Sequence, residues 1–372
     1  MALIPSSGTR PKTVSTFKRP SWPLYSEKTL FNRQENLRNL MAAEELDGFL
    51  LQNPENVGYF TGLFLEDVFC IVTYQDQKIF LFTHPLVYQE ALFYLSGSLP
   101  LRKSVDLWDK KSIISGLKKV GLEPELAAGH FVKLKETFPA VYFELSLLPF
   151  QLRSVKDELE ITLIRKAGRI TRNAFRQAQK MLKPGAKEEE LALLLRKRLE
   201  ESGAGSAFPA IAASGERTFF PHAIPTTSRI SGQDWVTVDF GAKYSEYCSD
   251  FTRVFFPGKK DRKATEILRI LSAAKKAAEK KAGPGVPAKD VDAAGRNVLK
   301  KKGLDQYFIH SIGHGVGLSV HEEPTLSPRS RDILKPGMVI TLEPAVYIPG
   351  WGGMRVEDTY LVTETGLENL TK

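Results

Sequence analysis

Four acidic residues recur in a matched pattern in the second half of the chain, each set in a strand-like context. Thr237-Val-Asp239 and Asp250-Phe-Thr252 form one set, and Thr341-Leu-Glu343 and Glu357-Asp-Thr359 form the other. Strand side chains alternate with period two, so each threonine shares a face with its acid. Val236, Val238 and Phe240, like Ile340 and Leu342, then face the opposite way into apolar packing. A lone acid on a strand ordinarily faces solvent, but four acids at matched places among apolar neighbours do not fit that reading. Carboxylates crowded together in a partly buried place repel one another and their pKa values rise. Two divalent cations, carrying four positive charges against four negative ones, remove the conflict. Oxygen donors joined by one imidazole suit manganese, cobalt, zinc or iron(II) and do not choose among them.

The imidazole has an evident source. His310-Ser-Ile-Gly-His314-Gly-Val-Gly-Leu-Ser-Val-His321-Glu-Glu-Pro324 contains three of the six histidines of the chain. The spacing of His310 and His314 suggests a helical zinc-protease motif, but that motif needs Glu after the first His. Ser311 stands there, and Gly313, Gly315 and Gly317 each weaken a helix by about 1 kcal/mol relative to Ala. These histidines must therefore act from an extended or looped segment with partners elsewhere. Glycines on both sides of His314 allow close backbone approach and let its ring project into the acid cluster. His314 and the four acids make a complete dinuclear set, and such metal pairs lie about 3.5–4 Å apart.

The elements that must carry these groups form a repeat. Ile161, Ile164, Ala167, Ile170, Ala174 and Met181 keep helical spacing until Lys183-Pro-Gly185, and a second helix follows from Glu188 to about 200. The same grammar returns with a helix near 262–282, then Pro284-Gly285, then a helix from Ala288 to about 302. A strand hairpin follows each helix pair, over 235–240 and 247–256 in the first repeat and 339–347 and 354–362 in the second. A pseudo-twofold arrangement would bring the four acids together. Upstream, residues 31–150 alternate helical and strand patterns: a helix around Leu37 to Leu46, strands at 48–51, 68–72 and 79–82, and helical stretches near 86–95 and 110–119. That is an α/β domain, and its histidines, His84 and His130, read as structural. The stretch around Leu152 to Glu158 reads as a linker.

A length of 372 residues suggests two domains. With 42% hydrophobic and 26% charged residues the composition is that of a soluble globular protein, and no apolar run approaches the roughly 18 residues of a membrane span. Cys70 and Cys248 give neither a disulfide framework nor a CxxC site, which fits a reducing cytoplasm. The net charge of +9 comes from scattered or helical Lys and Arg without a nucleic-acid motif, so the charge reads as solvated helix faces. Residues 1–30 are basic and rich in Pro, Ser and Thr near the start, without the apolar core of a secretory signal, and read as a disordered extension.

Val238-Asp239-Phe-Gly-Ala242, Tyr247-Cys-Ser-Asp250-Phe-Thr-Arg253, the His310–Glu322 stretch, Leu342-Glu343-Pro344 and Arg355-Val-Glu357-Asp358 together resemble the metallopeptidases of the pita-bread fold. Within that family the resemblance is to Xaa-Pro aminopeptidase (aminopeptidase P) and Xaa-Pro dipeptidase (prolidase). It runs from about residue 31 to the C-terminus. It implies an α+β chain: a creatinase-like α/β N-terminal domain over 31–152 and a pita-bread catalytic domain with a pseudo-twofold internal repeat over 153–372. It also implies two divalent ions per subunit, manganese first, with Asp239, Asp250, His314, Glu343 and Glu357 as ligands. Asp239 would hold one ion, His314 and Glu343 the other, while Asp250 and Glu357 bridge. Glu343 would shuttle a proton from the attacking water to the leaving proline nitrogen. His321 would donate to the oxyanion, while His310 and His222, in Phe220-Pro-His-Ala-Ile-Pro225, would line the substrate pocket, His222 relaying a proton. Arg355 would reach substrate or a ligand carboxylate, and Thr252 and Thr359 would orient ligands. Cys248 reads as packing.

The resemblance implies a homodimer acting on proline-containing peptides, with Xaa-Pro aminopeptidase read first and dipeptidase as the alternative. A non-catalytic binding protein on the same fold is disfavoured because all five ligand positions are filled, and creatinase-like C–N hydrolysis is disfavoured on the same ground. Methionine aminopeptidase is disfavoured by the N-terminal domain, and nucleic-acid binding rests on net charge alone.

Overall fold

The computed structural model describes residue 22 and residues 25–95, 99–103 and 106–372. The expected extension over residues 1–30 lies outside the described residues, except at its end, where helix α1 begins at Glu27. The described chain divides into two compact units, with the division after Leu152.

The first unit is a mixed sheet with helices. In chain order it runs α1 (Glu27–Ala43), β1 (Gly48–Leu51), α2 (Pro54–Thr61), β2 (Val68–Thr73), β3 (Ile79–Thr83), α3 (Tyr88–Tyr94), β4 (Leu101–Lys103), β5 (Lys119–Leu122), α4 (Ala128–Thr137) and β6 (Tyr142–Leu145). The strand order is β4-β3-β2-β1-β5-β6. Consecutive strands β1, β2 and β3 pair antiparallel, whereas β5, reached by a crossover, pairs parallel with β1, and β6 pairs parallel with β5. Of the helical stretch expected near 110–119, only a single 3-10 turn forms at Ile113–Gly116. Its residues are too few for a helix before Lys119 joins the sheet at β5. His130 bonds Gln52 at 3.0 Å and packs edge-on against Phe69.

Residues read as a linker are helical in part: α5 spans Leu148–Ser154. The next helix, α6 (Glu158–Met181), starts from a capping box in which Asp157 accepts from the Glu160 amide at 3.0 Å and Glu160 accepts from the Asp157 amide at 2.9 Å. It pairs with α7 (Glu188–Glu201). Strands β7 (Gly205–Ser206), β8 (Ile211–Ser214), β9 (Val236–Asp239), β10 (Ala242–Tyr244), β11 (Tyr247–Cys248) and β12 (Thr252–Phe255) complete the first repeat. The second has α8 (Arg262–Lys281), α9 (Ala288–Lys300), β13 (Gly313–Gly315), β14 (Glu322–Leu326), β15 (Val339–Leu342), β16 (Ala345–Ile348), β17 (Gly352–Arg355), β18 (Asp358–Thr363) and β19 (Gly366–Asn369). Each repeat has its own buried core. One joins α6 and α7 to Val236, Val238 and Phe240, and the other joins α8 and α9 to Ile340 and Leu342.

The two hairpins differ from the continuous strands expected from alternation. In each, the outer halves pair, β9 with β12 and β15 with β18, and so do the inner halves, β10 with β11 and β16 with β17. Both strands break between the halves. Asp239 ends β9 and Asp250 falls between β11 and β12; Glu343 falls between β15 and β16, and Glu357 between β17 and β18. Gly241 and Pro344 stand in the breaks, and Pro cannot donate to a ladder. All four acids therefore sit where the hairpins bend.

Candidate metal centre

The bends bring the acids of both repeats together. Three overlapping groups of donor atoms each lie within 4.8 Å: Asp239, Asp250 and Glu357; His314, Glu343 and Glu357; and Asp250, His314 and His321. The repeats hold one another by reciprocal contacts. Thr252 donates its hydroxyl to Glu357 Oε2 at 2.7 Å, and the Glu357 amide donates to the Thr252 carbonyl at 3.1 Å. Across the pseudo-twofold, Thr359 donates to the Asp250 carbonyl at 2.7 Å and accepts from the Asp250 amide at 3.3 Å.

His314 arrives on the short strand β13, as an extended segment. Its flanking glycines are required by close approach: a Cβ on Gly313 would lie 2.0 Å from the Thr341 carbonyl oxygen, and one on Gly315 would lie 2.2 Å from that of Glu323. The His314 amide donates to Thr341 Oγ1 at 3.1 Å. The ring Nδ1 lies 3.0 Å from the Gly315 carbonyl, which can only accept, so Nδ1 carries the proton. That leaves the Nε2 lone pair facing Asp250 Oδ2 at 3.7 Å and Glu343 Oε1 at 3.5 Å. Burial pushes the His314 pKa down to about 3, which keeps the ring neutral.

The acids carry the marks of a missing positive charge. Asp239 Oδ1, Asp250 Oδ1 and Glu357 Oε1 are buried with no hydrogen-bond partner, a condition that costs about 1–3 kcal/mol for each such group. Burial and then neighbouring carboxylates hold Asp250 and Glu343 well above the usual range and push Glu357 up to about 8. A neutral imidazole nitrogen and orphaned carboxylate oxygens turned toward one another are a donor set for hard or borderline divalent cations. The residues fit a pair of such ions.

Arg355 is the cationic residue within this group. Its Nη2 donates to Asp239 Oδ2 at 2.5 Å, its Nε to Thr252 Oγ1 at 3.2 Å and its Nη1 to the Tyr347 hydroxyl at 2.5 Å. The carboxylate expected to pair with Arg355 is that of Asp239. His310 lies behind, with Nε2 3.3 Å from the Tyr347 hydroxyl and Nδ1 3.9 Å from Glu343 Oε2. Its pKa is lowered to about 4 by burial. His321 is more exposed, and its ring centroid is 4.3 Å from that of His314. Expected only as an oxyanion donor, it also comes within reach of Asp250 and His314. His222 is exposed on the loop between β8 and β9, and the His321 pKa is lowered first by burial. Cys248 is buried beside the Leu318 carbonyl.

Sequence reasoning missed an ion cluster beneath His321. The Glu322 side chain is buried, with Arg153 and Lys156 each 2.6 Å away on different carboxylate oxygens. Burial raises its pKa but the two cations overcome this and hold it below the usual value. Arg153 and Lys156 are remote from Glu322 in sequence and stand in a charged stretch, Arg153-Ser-Val-Lys-Asp-Glu158, so no local signal pointed to the cluster.

The description "Metallopeptidase family M24" matches residues 162–364, more than half of the chain, and "Creatinase/Prolidase N-terminal domain" matches residues 33–154. The chain belongs to metallopeptidase family M24. An Xaa-Pro dipeptidase of Pyrococcus furiosus is 36% identical over 342 residues, covering 91% of this chain and 97% of the relative. Among solved structures, the Xaa-Pro dipeptidase from Bacillus anthracis has a TM-score of 0.86 at 32% identity, covering 92% of this chain and 98% of that one. The X-Pro aminopeptidase from Thermotoga maritima has a TM-score of 0.83 at 32% identity, covering 91% and 97%. This M24 protein thus combines a creatinase N-terminal unit with a pita-bread unit, as the sequence implied, and it is a metallopeptidase. Among its described residues no helix is long and apolar enough to cross a membrane.

Proposed function

We propose that this metallopeptidase hydrolyses the bond between a first residue and proline, with Xaa-Pro dipeptides as its principal substrates. The observation that carries the reading is the convergence of Asp239, Asp250, His314, Glu343 and Glu357 with buried, unpartnered oxygens. The names of the relatives from P. furiosus and B. anthracis favour the dipeptidase, and that from T. maritima supports the aminopeptidase as the second reading.

In this reading Asp239, Asp250, His314, Glu343 and Glu357 would hold two divalent cations, with manganese proposed first. When bound, such ions supply Lewis acidity and make a nucleophilic water more acidic. The Glu343 carboxylate takes the proton of the attacking water and delivers it to the proline nitrogen as the C–N bond breaks. Its buried, acid-crowded setting raises its proton affinity toward that task. His321 donates to the oxyanion of the substrate carbonyl, a contact made only as the tetrahedral centre forms. His310 and His222 line the substrate pocket, with His222 placed as a proton relay. Arg355 orients Asp239 through its Nη2 contact. A bond to proline lacks an N–H and has a fixed φ, so general proteases fit it poorly and a dedicated pocket is needed.

The test is an assay of Xaa-Pro against Xaa-Pro-Yaa-Zaa with added Mn²⁺. Cleavage of the dipeptide with little of the longer peptide is expected. Faster cleavage of the longer peptide selects the aminopeptidase, and no cleavage of either refutes both.

A further inference from the structure

The structure assigns Asp292 and Arg296 on α9 as positioning residues for His310. Asp292, Gly295 and Arg296 share one helical face by their spacing. Asp292 is 1% exposed and accepts from Arg296 Nε and Nη2 at 2.8 and 2.9 Å, one bond to each oxygen. The same guanidinium donates to two backbone carbonyls, Phe308 from Nη1 and His310 from Nη2, both at 2.9 Å. Asp292 Oδ1 also accepts from the Ile312 amide at 3.1 Å. Two side chains therefore fix three backbone groups of the five-residue stretch 308–312. Gly295 lets the stretch come this close, since a Cβ there would lie 2.0 Å from Ile312 Cδ1.

The other end of His310 is fixed by the site itself. Its Nδ1 donates to the Ser311 carbonyl at 2.8 Å, so Nε2 accepts from the Tyr347 hydroxyl, which in turn accepts from Arg355. The Ile312 carbonyl accepts from the amide of Glu343 at 2.8 Å, tying the same stretch to a ligand acid. The first repeat has a counterpart. Glu188, buried in the first turn of α7, accepts from Ser214, Arg217 and Thr226, on both sides of His222. In both repeats a buried acid on the second helix fastens the stretch that bears a histidine, and only in the second is the carbonyl of the histidine itself held. The inference rests on the functional reading in one respect, that His310 faces the substrate.

Arg296→Lys keeps a cation beside Asp292 but removes the fork that serves both carbonyls. In the full-length protein it should speed backbone hydrogen exchange over 308–312 and raise KM for an Xaa-Pro dipeptide by about 10-fold, with kcat within about twofold. In a His310→Ala background the same change should add less than about twofold, since residues acting through one another are not additive. Losses that multiply in the double variant, or unchanged exchange, overturn the assignment. Asp292→Asn is the second variant, and failure of both to fold while His310→Ala folds would also overturn it. If the parent protein cleaves no Xaa-Pro bond the functional reading falls, while the exchange result still decides this one.

Discussion

The two repeats of the catalytic unit share a scaffold and divide its chemistry unequally. Both set a helix pair before an interrupted hairpin, and both leave two acids at the interruptions. Both use a threonine to hold the second acid of the other repeat, Thr252 for Glu357 and Thr359 for Asp250. The strand beside the first acid differs. In the second repeat β13 brings His314 against Thr341, whereas in the first β8 brings Ala213 opposite Thr237, whose hydroxyl has no partner. The first repeat has the shorter aspartates, and the second has the longer glutamates, the histidines of the glycine-rich stretch and Arg355. Symmetry thus explains where oxygen donors converge. The departures from it give the cluster an imidazole end and an oxygen-only end.

Removing a donor that serves both ends should have the largest effect. Asp250→Ala is expected to lose both cations and to lower turnover by about 10³-fold or more, as several kcal/mol of charge stabilisation disappear. Metal analysis checks this, and a variant that keeps one ion would break the bridging role. Next come the two neighbouring histidines. His314→Ala should lose metal, whereas His321→Ala should retain it and lose about 10²–10³-fold in kcat. Metal loss in His321→Ala would instead make it a ligand, as its nearness to Asp250 permits.

The symmetry itself is tested by a milder pair. Thr252→Val and Thr359→Val each remove one side of the reciprocal contact and should each cost about 10–100-fold in activity or metal affinity. A loss in only one of them would mean that the repeats do not share the centre evenly. The smallest effect concerns pH. Glu322 has a folded pKa below its unfolded value, so its contribution to stability is present above about pH 4.3 and is lost as pH falls through the folded value. One such group contributes a slope of at most about 1.4 kcal/mol per pH unit. Acid melting of Glu322→Gln should lack that component, and an unchanged acid slope would remove Glu322 from the account.

Much of this was legible because the chemistry-bearing residues are local in pattern. Asp239, Asp250, Glu343 and Glu357 declare themselves by matched threonines and apolar alternation, and His314 by its glycines. The helix pairs follow from spacing, capping and Pro-Gly stops. Less legible were the bends. Period-two alternation runs through Phe240-Gly241 and Glu343-Pro344 without marking that pairing shifts there, although the Pro was a usable signal. The partners of Arg355, Glu322 and Glu188 were not legible, because each contact joins residues distant in sequence. The Asp292–Arg296 spacing was visible at i and i+4, but its backbone targets on 308–312 exist only once the chain has folded.

The claim that two repeats deliver their acids to one shared centre is tested most directly by anomalous scattering from crystals grown with Mn²⁺. The account predicts two manganese peaks per chain, both in contact with Asp250 and Glu357, with His314 on only one of them. A single peak, or two ions sharing no carboxylate, would contradict it.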